Sequence, residues 1–145
     1  MIQRVQSLWL LLASACAFFT MKFPFYSGHL KTIEGAQINV VVNTPLAAVD
    51  SIPIVTLTVA SAICSLITIF LFKDRKLQMR LTVANLIASI IIIALYFLNM
   101  RSNYAEMGLP LVTCAFAFAV PVFLLLAMRG IYRDQRLVKS MDRLR

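Results

Sequence analysis

The sequence predicts an all-α membrane protein. It is expected to be a four-transmembrane-helix bundle, N-in/C-in, with a short extracytoplasmic hairpin between helices 1 and 2 and a basic amphipathic cytoplasmic C-terminal helix. Three observations predict it. Of the 145 residues, 61% are hydrophobic and 14% charged, and the mean hydropathy is +0.85, too few charges for an ordinary soluble domain. Four runs, roughly 5–23, 53–72, 81–100 and 109–128, approach the about 20 apolar residues needed to cross a bilayer. Apart from Lys22 near the end of the first, none contains Lys, Arg, Asp, Glu or His.

The third observation is where the charge lies. Arg4 precedes the first run. Between the second and third, "KDRKLQMR" sets Lys73, Arg75, Lys76 and Arg80 against Asp74, a net of +3. Residues 129–145 carry six basic and two acidic side chains, a net of +4. Segments 22–52 and 101–107 each balance to zero, so the formal +8 lies on one side. The positive-inside rule then makes both termini cytoplasmic. The chain reads as one integral membrane domain, 1–145.

Helix 1 is expected to stop at "KFPFYS", because Pro24 cannot continue the ladder and Phe23, Phe25 and Tyr26 suit the outer interface. Trp9 suits the inner one. "LLASAC" before Cys16 faintly resembles a lipoprotein cleavage site. The apolar run nevertheless continues to Met21, and removing it would leave an odd number of spans, so helix 1 is expected to stay. In the outer loop 24–52, a Glu34-Gly35 turn followed by alternating Ile38, Val40 and Val42 predicts the hairpin. "NTPLAAVDS" is expected to make a helical turn before Ser51 and Pro53 open helix 2, and Gly108 and Pro110 are expected to open helix 4.

The short 73–80 connection makes helices 2 and 3 antiparallel neighbours. On helix 2, Thr58, Ser61, Ser65 and Thr68 form one stripe; on helix 3, Thr82, Asn85, Ser89, Tyr96 and Asn99 do the same, with Ile92 between. Small and hydroxylated residues allow membrane helices close approach, each cross-helix hydrogen bond adding about 0.6–2 kcal/mol. An intramembrane polar seam is expected from these residues. A solute path normally needs a carboxylate, histidine or lysine, and the stripes hold none. Pro121 inside helix 4 predicts a bend near Ala117.

Chemistry is sparse. His29 stands alone on the outer loop, the six carboxylates are scattered, and Cys16, Cys64 and Cys114 sit one to a helix as small packing residues. No protease, hydrolase or nucleotide-binding motif is present. No catalytic, cofactor-binding or metal-binding residues are expected, and no nucleic-acid partner.

On a helical wheel of 131–145, Arg133, Arg136, Lys139 and Arg143 share one arc, while Ile131, Leu137, Val138, Met141 and Leu144 share another. Such a segment usually lies on an anionic membrane. Lys73, Arg75, Lys76 and Arg80 are candidate lipid contacts with the tail arginines and Lys139. Asp134, however, falls within the apolar arc, where lipid would penalise it. Asp134, Leu137, Val138, Met141 and Leu144 are therefore expected to form a docking face for a protein, Asp134 pairing with an arginine such as Arg75 or Arg80.

The opening "MIQRVQSLWLLLA" and closing "IYRDQRLVKSMDRLR" resemble a family of small four-helix inner-membrane proteins of the Bacteroidota, known as a domain of unknown function. The resemblance implies a bacterial cytoplasmic-membrane protein and no activity. The sequence thus points to a non-enzymatic accessory subunit or scaffold of a membrane complex, acting through its cytoplasmic loop and tail and touching anionic headgroups, with a protein partner or a homo-oligomer. The alternative is a small homo-oligomeric transporter or lipid-handling protein using the helix 3 stripe.

Overall fold

The computed structural model describes residues 2–29, 43–46, 51–71, 74–103, 109–110 and 112–142. Four helices, each long and apolar enough to cross a membrane, dominate it: α1 (Ile2–Lys22), α2 (Ile52–Phe70), α3 (Arg75–Asn103) and α4 (Val112–Asp142). The chain is a multi-pass membrane protein. Helix α1 packs on α2, α2 on α3, α3 on α4 and α4 back on α1, closing a ring.

The reason for this ring is a 4-3 repeat of buried positions on every helix. On α1 it runs Gln6, Leu10, Ala13, Ala17, Thr20; on α2, Ile54, Thr58, Ser61, Ser65, Thr68. On α3 it runs Gln78, Thr82, Asn85, Ser89, Ile92, Tyr96; on α4, Thr113, Ala117, Val120, Leu124, Ala127, Ile131, Asp134. That spacing keeps one narrow seam facing the neighbours, as in left-handed bundles. The bulky apolar side chains point the other way: Leu8, Leu11, Ile87, Ile90, Ile91, Leu98, Val122 and Leu125 are exposed. In lipid, association relies on close packing and hydrogen bonds instead of apolar burial, so small and polar residues belong inside.

Three short strands cap one end of the bundle. β1 (Tyr26–His29) lies between β2 (Asn43–Leu46) and β3 (Leu109–Pro110), antiparallel to both, with Tyr26 opposite Leu46 and Pro110. β1 and β2, both between α1 and α2, thus pair antiparallel on residues other than those expected to form the hairpin. The turn and alternating residues that suggested it, 33–42, lie outside the described residues. Two expectations need correction. Asn43, Thr44, Pro45 and Leu46 form an edge strand instead of a helical turn; an edge is where a strand tolerates a proline. Pro110 belongs to β3, and α4 starts at Val112. Ser51 does start α2, its carbonyl accepting from the amides of Ile54 and Val55 at 3.0 Å. Its hydroxyl caps nothing and donates to Asn99 Oδ1 at 3.4 Å, joining α2 to the end of α3.

Under the sheet, buried Phe25 stacks on Tyr96 with 4.3 Å between ring centroids, over Ile54, Ile92 and Ala117. Towards the opposite end the core is Leu10, Ala13, Cys16, Ala17, Ala62, Val120, Leu124 and Ala127, flanked by Trp9 stacked on Phe123.

The basic end differs from expectation in two ways. Helix α3 already begins at Arg75, so most of 73–80 is helix, and the turn from α2 is only a few residues. Gln78 makes that possible: its Nε2 donates to the Thr68 carbonyl in the last turn of α2 at 3.3 Å, filling an acceptor the helix end leaves open. The tail is likewise no separate element. α4 runs unbroken for 31 residues, past Pro121 and past Arg129, to Asp142.

Candidate functional site at the basic end of the bundle

Two groups of polar side chains stand out. The first is the predicted seam, and all seven of its residues, Thr58, Ser61, Ser65, Thr68, Thr82, Asn85 and Ser89, are buried. Asn85 crosses it: its Nδ2 donates to the Ser61 carbonyl at 3.2 Å and to Ser65 Oγ at 2.7 Å. Thr58, Ser65, Thr68 and Thr82 each donate to a carbonyl one turn back on their own helix, between 2.6 and 3.0 Å. Asn85 Oδ1 is buried with no hydrogen-bond partner. Beside this seam Thr20, Thr58, Ser61 and Ser89 line, with Ala17, Ile92, Ala117 and Val120, a cavity of about 20 Å³. That is room for roughly one water.

The second group lies at the charged end and ties the ends of the helices together. Gln6 Nε2 on α1 donates to Asp134 Oδ2 on α4. Arg75 at the start of α3 donates to the Asp134 backbone carbonyl at 3.2 Å, and Gln135 Nε2 returns a bond to the Arg75 carbonyl at 3.0 Å. Gly130 lets α1 approach: a Cβ there would lie 2.8 Å from Gln6 Cγ.

This placement changes the reading of the tail. Asp134 is 7% exposed and faces into the bundle, as does Ile131 at 1%. Leu137, one turn further on, is exposed whereas Asp134 is turned inward, so the two do not form one outward docking face. The side chains of Val138 and Met141, and all of Leu144, lie outside the described residues. Arg75 does meet Asp134, through the backbone carbonyl and not as a carboxylate pair. Of the candidate lipid contacts, Lys76, Arg80, Arg133 and Arg136 are exposed, with Arg129 beside them, and Arg75 is half-buried. Lys73, the Lys139 side chain and Arg143 lie outside the described residues.

Sequence reasoning missed Gln6, Gln78, Gly130 and Gln135. A signal for two of these existed. Gln6 and Gln78 extend the 4-3 repeats of α1 and α3 by one step, and Asp134, which Gln135 adjoins, extends that of α4.

The arrangement holds no set of three or more metal-ligating side chains among the described residues, and its cysteines are unpaired. It consists of neutral amides, one carboxylate and one guanidinium joining α1, α3 and α4. A family model described as "Domain of unknown function (DUF4293)" matches residues 2–144. No curated protein and no solved structure matches.

Proposed function

The chain belongs to the DUF4293 family, and from that premise we propose that it is a non-enzymatic accessory subunit or scaffold of a membrane complex. One observation carries the reading: the bundle spends buried polar groups on holding an extension of α4. Gln6 and Arg75 hold α4 at Asp134, and Gln135 of α4 donates back to the Arg75 carbonyl, beyond the apolar run that ends near Met128. A chain that served only to sit in lipid needs no such brace. The scaffold reading is further favoured over a transporter by the fate of the seam. The Asn85 amide donates across to α2, the cavity has room for about one water, and the Phe25–Tyr96 stack lies between the sheet and the bundle interior.

We place the protein in the bacterial cytoplasmic membrane, as the family resemblance implies, with both termini in the cytoplasm and the sheet outside on the strength of its flanking charges. A C-terminal fluorescent-protein fusion is expected to fluoresce, and a C-terminal alkaline phosphatase fusion to be inactive. The reverse pattern would invert the assignment.

The functional test is purification of the tagged protein from its native membrane in mild detergent. The full chain is compared with one ending at Met128, which lacks the braced extension and its arginines, at matched membrane abundance. The expected result is a stoichiometric partner with the full chain, weakened or lost on truncation. Recovery of the protein alone from both, as a discrete homo-oligomer, would count against the scaffold reading.

A further inference from the structure

Taking the scaffold reading as its basis, we infer that the outward face of the α4 extension, Arg129, Tyr132, Arg133 and Arg136, is a docking strip for an acidic helical segment of a partner protein. All four side chains are exposed, and Tyr132 is 61% so. The carboxylate within this stretch, Asp134, is turned into the bundle, so the exposed face between Arg129 and Arg136 carries only positive charge.

Spacing and residue type point to the partner's chemistry. Arg129, Arg133 and Arg136 stand at i, i+4 and i+7, one stripe along a helix. Along the axis the stripe is about 10 Å long at 1.5 Å per residue. Aspartates and glutamates at the same intervals on a partner helix would meet all three. Each ionic residue on the strip is arginine, whose planar fork takes a carboxylate through two parallel hydrogen bonds. Tyr132 flanks the stripe and offers a rigid ring with a polar tip, a residue type favoured in interface cores.

A lipid surface fits less well. An amphipathic helix binds a membrane by inserting its apolar face while its basic face meets the headgroups. Within the strip's own stretch the apolar residue is already used: Ile131 is buried against the bundle, and the helix is fixed there through Asp134 and Gln135. The extension therefore continues along the bundle and carries Arg136 about 10 Å past Arg129, roughly one Debye length at physiological salt. Because the strip is already helical and braced, a partner pays little ordering entropy on binding.

The test places a benzophenone amino acid at Tyr132 in the full-length protein and irradiates native membranes. The expected product is a protein adduct whose cross-linked peptide carries acidic residues at helical spacing. The adduct should fall at least about tenfold on Arg129→Glu, Arg133→Glu and Arg136→Glu together, since loss of three charge-assisted contacts readily exceeds one decade. Reversing the acidic residues of the partner should restore it. A parallel Arg→Gln triple variant, with membrane abundance and melting matched to the parent, separates loss of docking from loss of folding. Adducts with lipid only, with a second copy of the chain, or with a partner in amounts that neither triple variant changes would each overturn the strip. A partner retained by both triple variants would leave the scaffold reading standing, whereas absence of any protein partner in both experiments would remove both.

Discussion

Replacing Tyr96 with alanine is expected to destabilise the bundle more than any other single change discussed. Tyr96 is fully buried and stacks face to face on Phe25. It packs in one cluster with Ile54, Ile92 and Ala117. Removing a buried aromatic side chain forfeits its dispersion contacts and leaves a cavity, at a cost of about 3–5 kcal/mol in well-packed cores. Lipid does not weaken the argument, because packing is the main force between membrane helices. The loss should appear as a lower midpoint of thermal unfolding in detergent, with Phe25→Ala showing the same direction. Tyr96→Phe keeps the ring and the stack and should lose far less. An unchanged midpoint for Tyr96→Ala would show that the Phe25–Tyr96 stack carries no stability.

The next largest effect is expected at Asp134. Asp134→Leu leaves the buried Gln6 amide without its acceptor, which costs about 1–3 kcal/mol. The consequence should also be local. Amide hydrogen exchange in 131–142 should accelerate, while exchange in α2 changes little. Asp134→Asn, which keeps an oxygen for Gln6 Nε2, should be milder. The pair Gln6→Leu with Asp134→Leu should be less harmful than either change alone, because an apolar pair leaves no orphaned group. If the double variant shows the simple sum of the two single losses, the Gln6–Asp134 contact is not an energetic unit.

Much of the fold was legible because it obeys a period. Four apolar runs gave four helices, and the Thr, Ser and Asn stripes on α2 and α3 turned inward as the spacing required. What went unread at the basic end was continuity. The change from Met128 to Arg129 looks like a boundary, and a wheel begun afresh at Ile131 places Asp134 among apolar neighbours that need an outside partner. Counted from Thr113, the same residue is the seventh position of one unbroken seam, and its partner is Gln6. A charge discontinuity marks where a bilayer ends, not where a helix ends. The error at 73–80 has the same origin, since "KDRKLQMR" is polar enough to read as a loop while Gln78 sits in phase with Thr82 and Asn85.

The sheet was harder. β1 pairs with β3, more than 70 residues later in the chain, and no local pattern encodes a two-residue strand. Pro45 hid β2, because a proline reads as a break unless the strand is known to lie at an edge.

The unbroken course of α4 has a mechanical consequence. Its first residue follows β3 after a single intervening position, and its last lies beyond Arg136. One rod of 31 residues, about 46 Å at 1.5 Å per residue, thus runs from the sheet at one end of the bundle to the arginines at the other. Torque applied to the sheet is delivered along that rod to whatever grips its far end, with Pro121, which has no amide hydrogen to donate, as a compliant point within it.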